Sequence, residues 1–79
     1  MYEIYSKIDC PNCDKAKRLL TDGNFEHRVK ILGVHFTVED LYQIAPRSHR
    51  SFPMITKHGE YLGGLQELLI DLEKGVTEL

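Results

Sequence analysis

The sequence predicts a single α/β domain in which a four-stranded mixed sheet carries helices on both faces. A chain of 79 residues is long enough for one small hydrophobic core, burying about 60% of the surface that the unfolded chain exposes. Segments with the alternating pattern of strands are interspersed with segments that have the 3.6-residue period of helices. Their order is βαβαββα, a crossover half followed by a hairpin half. No repeat, linker or low-complexity tract interrupts this order, so residues 1–79 form one domain.

The first half of the chain predicts a strand–helix–strand crossover. Residues 2–7 alternate in polarity and contain the β-branched and aromatic residues typical of strands. A helix over roughly residues 11–22 follows, because its apolar residues lie on one face and Gly23 is available to end it. Residues 25–32 alternate again and predict a second strand. A strand, a helix and a strand within about 30 residues imply a right-handed parallel crossover.

The second helix has a well-marked beginning. Thr37 is a suitable N-cap, and Asp40 stands where a capping box places its acidic residue. We expect this helix to run from about Val38 to Ala45 and to end before Pro46, because a residue that precedes proline disfavours helical conformation.

A hairpin and a last helix complete the chain. Residues 53–57 predict a short strand that begins at a proline, and residues 58–60 supply the turn into a strand at Tyr61-Leu62. Gly63-Gly64 then precede an amphipathic helix with Gly75 near its end. Its apolar stripe is predicted to lie in the core and consists of Leu65, Leu68, Leu69, Leu72 and Val76.

Charge and hydropathy narrow the class of protein. Ten basic and twelve acidic residues give a formal charge of −2, which offers no electrostatic footprint for nucleic acid or an anionic membrane. The N-terminus lacks the basic start and apolar stretch of a signal peptide, and no run approaches 18 apolar residues. We therefore expect a soluble, cytoplasmic monomer. Cytoplasmic thiols are kept reduced, so a disulfide there is usually transient, catalytic or sensory.

Both cysteines lie in one four-residue motif, Cys10-Pro11-Asn12-Cys13, at a predicted strand-to-helix junction. Residues three apart on a helical turn are close enough for a disulfide after local adjustment. Pro11 suits the first helical position, which makes Cys10 the N-cap. Backbone N–H groups and the helix dipole there should lower the thiol pKa below its free value of about 8.5. Cys10 is the predicted nucleophile, and Cys13 is the predicted resolving thiol.

Three other interpretations of the cysteine pair remain open. Half of a zinc site would need two further ligands, which the histidines His27, His35, His49 and His58 do not offer as a compact pair. A static structural disulfide would close only a very short loop. Ordinary buried thiols would leave the motif at a strand-to-helix junction unexplained. We expect no metal.

The chain resembles the glutaredoxins along nearly its whole length, and four landmarks carry the resemblance. They are Lys7 three residues before Cys10, the Cys-Pro-Asn-Cys motif, Phe52-Pro53, and Gly63-Gly64 before the last helix. The resemblance implies a thioredoxin-like sheet in the order 2-1-3-4, with the first and last helices on one face. It also implies a cis peptide bond before Pro53, which would expose the Phe52 backbone to an extended thiol peptide.

The resemblance further implies glutathione as the reducing co-substrate. Lys7 and Arg47 are expected to hold its glycine carboxylate, although Lys7 also suits a solvated strand end and residues 47–51 a solvated loop. The helix start at Leu65 and Gln66, after Gly63-Gly64, is expected to hold the γ-glutamyl carboxylate, although the double glycine also suits a tight connection.

The sequence departs from the glutaredoxin pattern at several positions. Asn12, a candidate substrate contact, stands where tyrosine is common, and Gln66 stands where many members have an acidic residue. Phe52 and Ser51 occupy positions where valine and threonine, respectively, are more usual in the family. The departures bear on glutathione affinity more than on dithiol chemistry.

The resemblance predicts a glutathione-dependent dithiol–disulfide oxidoreductase, and the family suggests ribonucleotide reductase among the protein substrates. Two alternatives stay open: a redoxin recycled by thioredoxin reductase, and a glutaredoxin that binds an iron–sulfur cluster in a glutathione-bridged dimer.

Overall fold

The computed structural model of the chain describes residues 1–46, 49 and 51–77, the last three by their backbone alone. Four strands and three helices follow one another in the predicted order. They are β1 Tyr2–Ser6, α1 Pro11–Asp22, β2 His27–Ile31, α2 Val38–Ile44, β3 Met54–Lys57, β4 Glu60–Gly63 and α3 Leu65–Thr77. Among the described residues, no helix combines the length and apolar composition needed to cross a bilayer.

The strands form one mixed sheet in the order β2-β1-β3-β4, as the resemblance implied. Strand β1 lies at the centre, parallel to β2 and antiparallel to β3. The register pairs Ile4 with Ile55 and Tyr5 with Met54. Because successive side chains of a strand point to opposite faces, these two pairs begin two separate cores.

The core on one face packs α1 and α3 against the sheet. Its buried members are Tyr2, Ile4, Ala16, Leu20, Ile55 and Leu68. The core on the other face is smaller and packs around Tyr5, Phe36, Ala45 and Met54. Helices therefore cover both faces of the sheet.

Helix α1 has the predicted bounds because its ends are marked by local chemistry. Pro11 occupies the first turn, and the N–H of Gly23 donates to the carbonyl of Leu19 at 3.2 Å. In α2 the predicted capping box is present, with the Thr37 hydroxyl accepting from the N–H of Asp40 at 3.3 Å. The Asp40 carboxylate in turn accepts from the N–H of Thr37 at 2.8 Å.

Strand β2 is shorter than the predicted span of residues 25–32. The N–H of Phe25 donates to the carbonyl of Leu20 at 2.9 Å, and Asn24 has a positive φ of 57°. The chain is still closing the end of α1 at Phe25, so sheet pairing begins only at His27. The alternating pattern extended through this turn and could not indicate where the strand starts.

The predicted core stripe of α3 is wrong at one position. Leu68 is fully buried and Leu65 and Leu72 pack against the same core, but Leu69 is 41% exposed. Leu69 lies about 100° around the helix from Leu68, at the far edge of the stripe. The side chain of Val76 lies outside the described part of the chain.

Candidate active site

The cysteine motif lies where β1 gives way to α1. Cys10 is the N-cap of α1 in an extended conformation, with φ −122° and ψ 99°. Its sulfur is bonded to that of Cys13 in a disulfide, and the two Cα atoms are 5.2 Å apart. The backbone N–H of Cys13 also lies 3.2 Å from Cys10 Sγ. The helix start therefore aims a hydrogen-bond donor at the sulfur of Cys10.

The two sulfur-bearing residues differ in exposure. Cys10 is 8% exposed, whereas Cys13 is fully buried beneath the first turn of α1. The residues around Cys10 are open to solvent, and Ile8 in the preceding loop is 77% exposed. Cys10 therefore keeps a small exposed fraction beside solvent-exposed neighbours, whereas Cys13 has none.

Phe52 and Pro53 lie at the same edge of the sheet, immediately before β3. The peptide bond between them is cis, as the resemblance implied, and Pro53 is buried. The Phe52 ring lies 6.4 Å from that of Phe36, which makes an edge contact with Tyr5 at 5.1 Å. Lys7 Nζ lies 5.5 Å from the centre of the Phe52 ring, a cation–π contact.

A groove of about 390 Å³ runs beside the motif, between the loop at Phe52-Pro53 and the start of α3. It is lined by Asn12, His49, Ser51, Phe52, Pro53, Gly64, Leu65, Gln66 and Glu67. The groove thus collects residues from three separate parts of the chain.

His49 and Tyr61 meet at one side of this groove. His49 Nδ1 and the Tyr61 hydroxyl are 2.7 Å apart, and the rings pack edge to face with centres 5.5 Å apart. His49 Nε2 is buried and has no hydrogen-bond partner among the described residues. Partial burial of the phenol raises the pKa of Tyr61, and the negative charge of Glu67 raises it further.

Several solved structures with the same fold are glutaredoxins. The chain superimposes on reduced Escherichia coli glutaredoxin with a TM-score of 0.78, at 24% identity over 96% of each chain. A glutaredoxin from Brucella melitensis gives a TM-score of 0.73 at 28% identity, covering 98% of this chain and 83% of that one. The chain has the glutaredoxin fold. The resemblance indicated by the sequence motifs is confirmed.

Two further comparisons refine this result. Buckwheat glutaredoxin, solved in complex with glutathione, gives a TM-score of 0.75 at 20% identity, covering 94% of this chain and 69% of that one. Hybrid peroxiredoxin hyPrx5 of Haemophilus influenzae is 32% identical over 65 residues, which is 82% of this chain. The chain spans about a quarter of that protein, 26% of its length. No family model matches the sequence.

The glutaredoxin fold and the cysteine pair together support thiol–disulfide oxidoreductase chemistry. Among the residues predicted to bind substrate, the groove brings together Asn12, Phe52, Pro53, Gly64, Leu65 and Gln66. Gly63 is buried at the end of β4 and does not line it. Lys7 stands outside the groove, over the Phe52 ring. Arg47 lies outside the described residues.

Three groove residues were not among the predicted substrate contacts: His49, Ser51 and Glu67. His49 lies in the polar connection before Phe52, and its position three residues upstream of a landmark was the available signal. Glu67 is the third residue of α3, where an acidic side chain commonly reaches back to the N-cap backbone. Its Oε1 accepts from the N–H of Gly64 at 2.8 Å. One donor expected to bind a substrate carboxylate is therefore already occupied.

Proposed function

We propose that this chain is a dithiol–disulfide oxidoreductase that is reduced by glutathione. The observation that carries the proposal is the cysteine pair at the start of α1, bonded in a disulfide, with Cys10 8% exposed and Cys13 fully buried. The backbone N–H of Cys13 and the positive end of the helix dipole favour a thiolate at Cys10 once the pair is reduced. Cys10 then attacks and Cys13 resolves.

The reduced pair transfers two electrons to a substrate disulfide. The Cys10 thiolate attacks one substrate sulfur, forms a mixed disulfide with it and releases the other as a thiolate, which takes up a proton. Cys13 loses its proton and attacks the Cys10 sulfur. The bond between Cys10 and the substrate breaks, the substrate leaves as a dithiol, and the internal disulfide forms again.

Two molecules of glutathione restore the dithiol. The first thiolate attacks the Cys10 sulfur, so that Cys13 leaves as a thiol and Cys10 carries glutathione. The second attacks the glutathione sulfur, which releases Cys10 and forms glutathione disulfide. The groove between Phe52-Pro53 and α3 supports this proposal, as does the glutathione complex of the buckwheat protein with the same fold.

A peroxiredoxin is a specific candidate for the protein substrate. The relative of 32% identity is a hybrid of a peroxiredoxin and a glutaredoxin, and this chain matches about a quarter of it. Domains that work on each other are often joined in one chain, so a separate peroxiredoxin suits this chain as a partner. Ribonucleotide reductase remains a prediction from the sequence resemblance. We propose a cytoplasmic location, where such a disulfide is transient.

A coupled assay tests the proposed function. Purified wild-type, Cys10→Ser and Cys13→Ser proteins would be compared in the reduction of a small mixed disulfide with glutathione, glutathione reductase and NADPH. We expect the Cys10→Ser variant to be inactive. Cys13→Ser should still reduce glutathione mixed disulfides, because that reaction needs only Cys10, but should lose the reduction of protein disulfides. Activity that survives Cys10→Ser would refute the mechanism.

The same proteins distinguish the alternatives. Wild-type protein that is inert with glutathione but active with thioredoxin reductase would favour the redoxin alternative. A brown, dimeric preparation would favour the iron–sulfur alternative. For the peroxiredoxin proposal, NADPH oxidation should depend on peroxide and on a purified peroxiredoxin, and Cys13→Ser should trap that partner as a mixed disulfide. If the protein reduces small disulfides but Cys13→Ser traps no peroxiredoxin, the peroxiredoxin proposal is refuted and the oxidoreductase proposal stands.

A further inference from the structure

A second cleft lies along the seam between α1 and α3, next to the groove described above. It has a volume of about 300 Å³ and is lined by Lys15, Arg18, Leu19, Asp22, Leu65 and Leu69. The four α1 residues are spaced i, i+3, i+4 and i+7, which places them on one face of that helix, and the two leucines of α3 are one turn apart. Nothing in the dithiol mechanism uses this seam.

The floor of the cleft is apolar and stays open to solvent. Leu19 and Leu65 are partly buried and pack against the core beneath them, whereas Leu69 is 41% exposed. A single exposed leucine is ordinary on a protein surface, but this one adjoins two other leucines in one concave surface. The cleft can therefore receive an apolar side chain from a partner.

Two cations flank this apolar floor. Lys15 and Arg18 are exposed, and neither side chain forms a hydrogen bond or an ion pair with another described residue. Lys17, between them in sequence, instead contacts Asp14 at 3.8 Å and does not line the cleft. Asp22 is the one acidic residue among the described residues that line it, and it ends α1, far from the cysteines. The part of the cleft nearest the disulfide is therefore positively charged, although the chain has a formal charge of −2.

The cleft continues the groove beside the disulfide. Leu65 borders both, and Asn12 in the groove lies one turn before Lys15 on α1. At a rise of 1.5 Å per residue, Lys15 and Arg18 lie about 8 Å and about 12 Å beyond Cys10 along the helix axis. About four residues of an extended peptide span the longer distance. A polypeptide whose disulfide reacts at Cys10 can therefore lay its neighbouring residues along the cleft.

We propose that the cleft binds the segment of a protein substrate that adjoins the reacting disulfide, and that this segment has an apolar side chain flanked by carboxylates. The apolar side chain covers Leu69, and the carboxylates pair with Lys15 and Arg18. The inference rests on the proposed function and deepens it, because it states which protein disulfides the enzyme reduces fastest. A small disulfide without such a segment does not reach the cleft and gains nothing from it.

A single-turnover reaction with peptide disulfides tests the proposal without a supply of glutathione. Protein reduced with dithiothreitol, and then freed of it, reduces a cyclic two-cysteine peptide to the dithiol while its own Cys10–Cys13 disulfide forms. Thiol alkylation and mass spectrometry follow the oxidised fraction of the protein with time. About four residues from a cysteine, the peptides have a leucine between two glutamates, a leucine between two lysines, or a serine between two glutamates. The segment precedes the cysteines in one series and follows them in another.

The wild-type protein should distinguish these peptides by charge and by the apolar side chain. In at least one series we expect the leucine peptide with glutamates to react about tenfold faster than that with lysines, from modest attraction or repulsion at each exposed cation. It should react about threefold faster than the serine peptide. Sodium chloride at about 0.5 M should remove most of the preference for glutamate but not that for leucine, because salt screens exposed charges.

Two variants test the two parts of the cleft separately, each with a matched control. Arg18→Glu should slow the leucine peptide with glutamates about fivefold and accelerate that with lysines. Leu69→Gln should reduce the preference for leucine over serine. Arg28→Glu on β2 and Ile70→Gln on α3 make the same changes at exposed residues outside the cleft and should keep the wild-type rates. All four variants should reduce the disulfide of 2-mercaptoethanol as fast as the wild type.

The outcomes separate the inference from the function on which it rests. Reduced wild-type protein that transfers electrons to no disulfide, that of 2-mercaptoethanol included, would remove both. Equal rates with glutamate and lysine peptides in both series, or equal effects of Arg18→Glu and Arg28→Glu, would overturn the inference alone. An equal loss with 2-mercaptoethanol disulfide in Arg18→Glu would also overturn it, because the change would then act at Cys10.

Sedimentation velocity tests the other possible occupant of the cleft, a second copy of the chain. We expect the wild type and Leu69→Gln to be monomers at the concentrations of the kinetic assay. A wild-type dimer that Leu69→Gln dissociates would assign the cleft to an interface between two copies and would overturn the proposal.

Discussion

Replacement of Gly63 by alanine should destabilise the fold and disturb the groove together. Gly63 ends β4 and has a φ of +142°, a conformation that residues with a Cβ rarely adopt. That conformation costs an alanine of order 1–3 kcal/mol. A Cβ there would also come 2.5 Å from Glu67 Cγ, so the Glu67 side chain must move.

Movement of Glu67 would break its 2.8 Å contact with the N–H of Gly64, a hydrogen bond worth about 1 kcal/mol. The two costs together predict that Gly63→Ala lowers the free energy of unfolding by about 3 kcal/mol. For a domain of this size the melting temperature should fall by about 10 °C or more. Urea denaturation of the oxidised protein, followed by circular dichroism, measures the free energy directly.

Gly64→Ala is the matched control for this prediction. Its nearest contacts to an added Cβ are 3.5 Å and longer, which is ordinary van der Waals distance, and its φ is not positive. We expect this variant to lie within about 1 kcal/mol of the wild type. Equal losses in the two glycine variants, or no loss in Gly63→Ala, would refute the reasoning.

Three further predictions concern the remaining supports of the fold. The Tyr2 hydroxyl donates to Asp71 at 2.6 Å and Lys57 contacts the same oxygen at 2.9 Å, and both lower the pKa of Asp71 below its ordinary 3.8. Asp71→Asn should lower the free energy of unfolding by about 1–2 kcal/mol at pH 7. The difference from the wild type should shrink as the pH falls through the Asp71 pKa, because the wild-type carboxylate then also loses its charge. Urea denaturation at pH 7 and at pH 3 measures both effects. Thr37→Ala removes the side-chain cap of α2 and should lower the free energy of unfolding by about 1 kcal/mol, measured by the same urea denaturation. Leu20→Ala opens a cavity at a fully buried site and should cost about 2–5 kcal/mol, and a loss below 1 kcal/mol would contradict the packing described here.

The helices were the most predictable part of the fold because their ends depend on neighbouring residues. Pro11 and Gly23 bracket α1, and the reciprocal Thr37 and Asp40 bonds begin α2, all within a few residues of sequence. The sheet order could not be derived in this way, because strand pairing joins distant segments. It came from the resemblance to glutaredoxins. The predicted start of β2 was wrong because the turn after α1 continues the same alternating pattern.

In the candidate site, too, residues close together in sequence could be predicted and residues brought together by the fold could not. Cys10 and Cys13 could be identified from sequence because one helical turn contains both of them. His49 and Tyr61 are twelve residues apart and meet only because the chain folds back through β3 and β4, so neither carried a local signal. The bond of Glu67 to Gly64 is local, but its significance depends on the groove into which it projects.

The register of β1 and β3 connects the two halves of the active site. Tyr5 pairs with Met54, so the strand that leads into the cysteine motif is bonded to the strand that follows Pro53. The side chains on either side of this pairing belong to different cores, with Ile4 facing α1 and Tyr5 facing α2. A slip of one residue would move both side chains to the wrong face. The separation between the nucleophile and Phe52-Pro53 is therefore held by both cores at once, and substitutions deep in either core should alter disulfide exchange without touching the site.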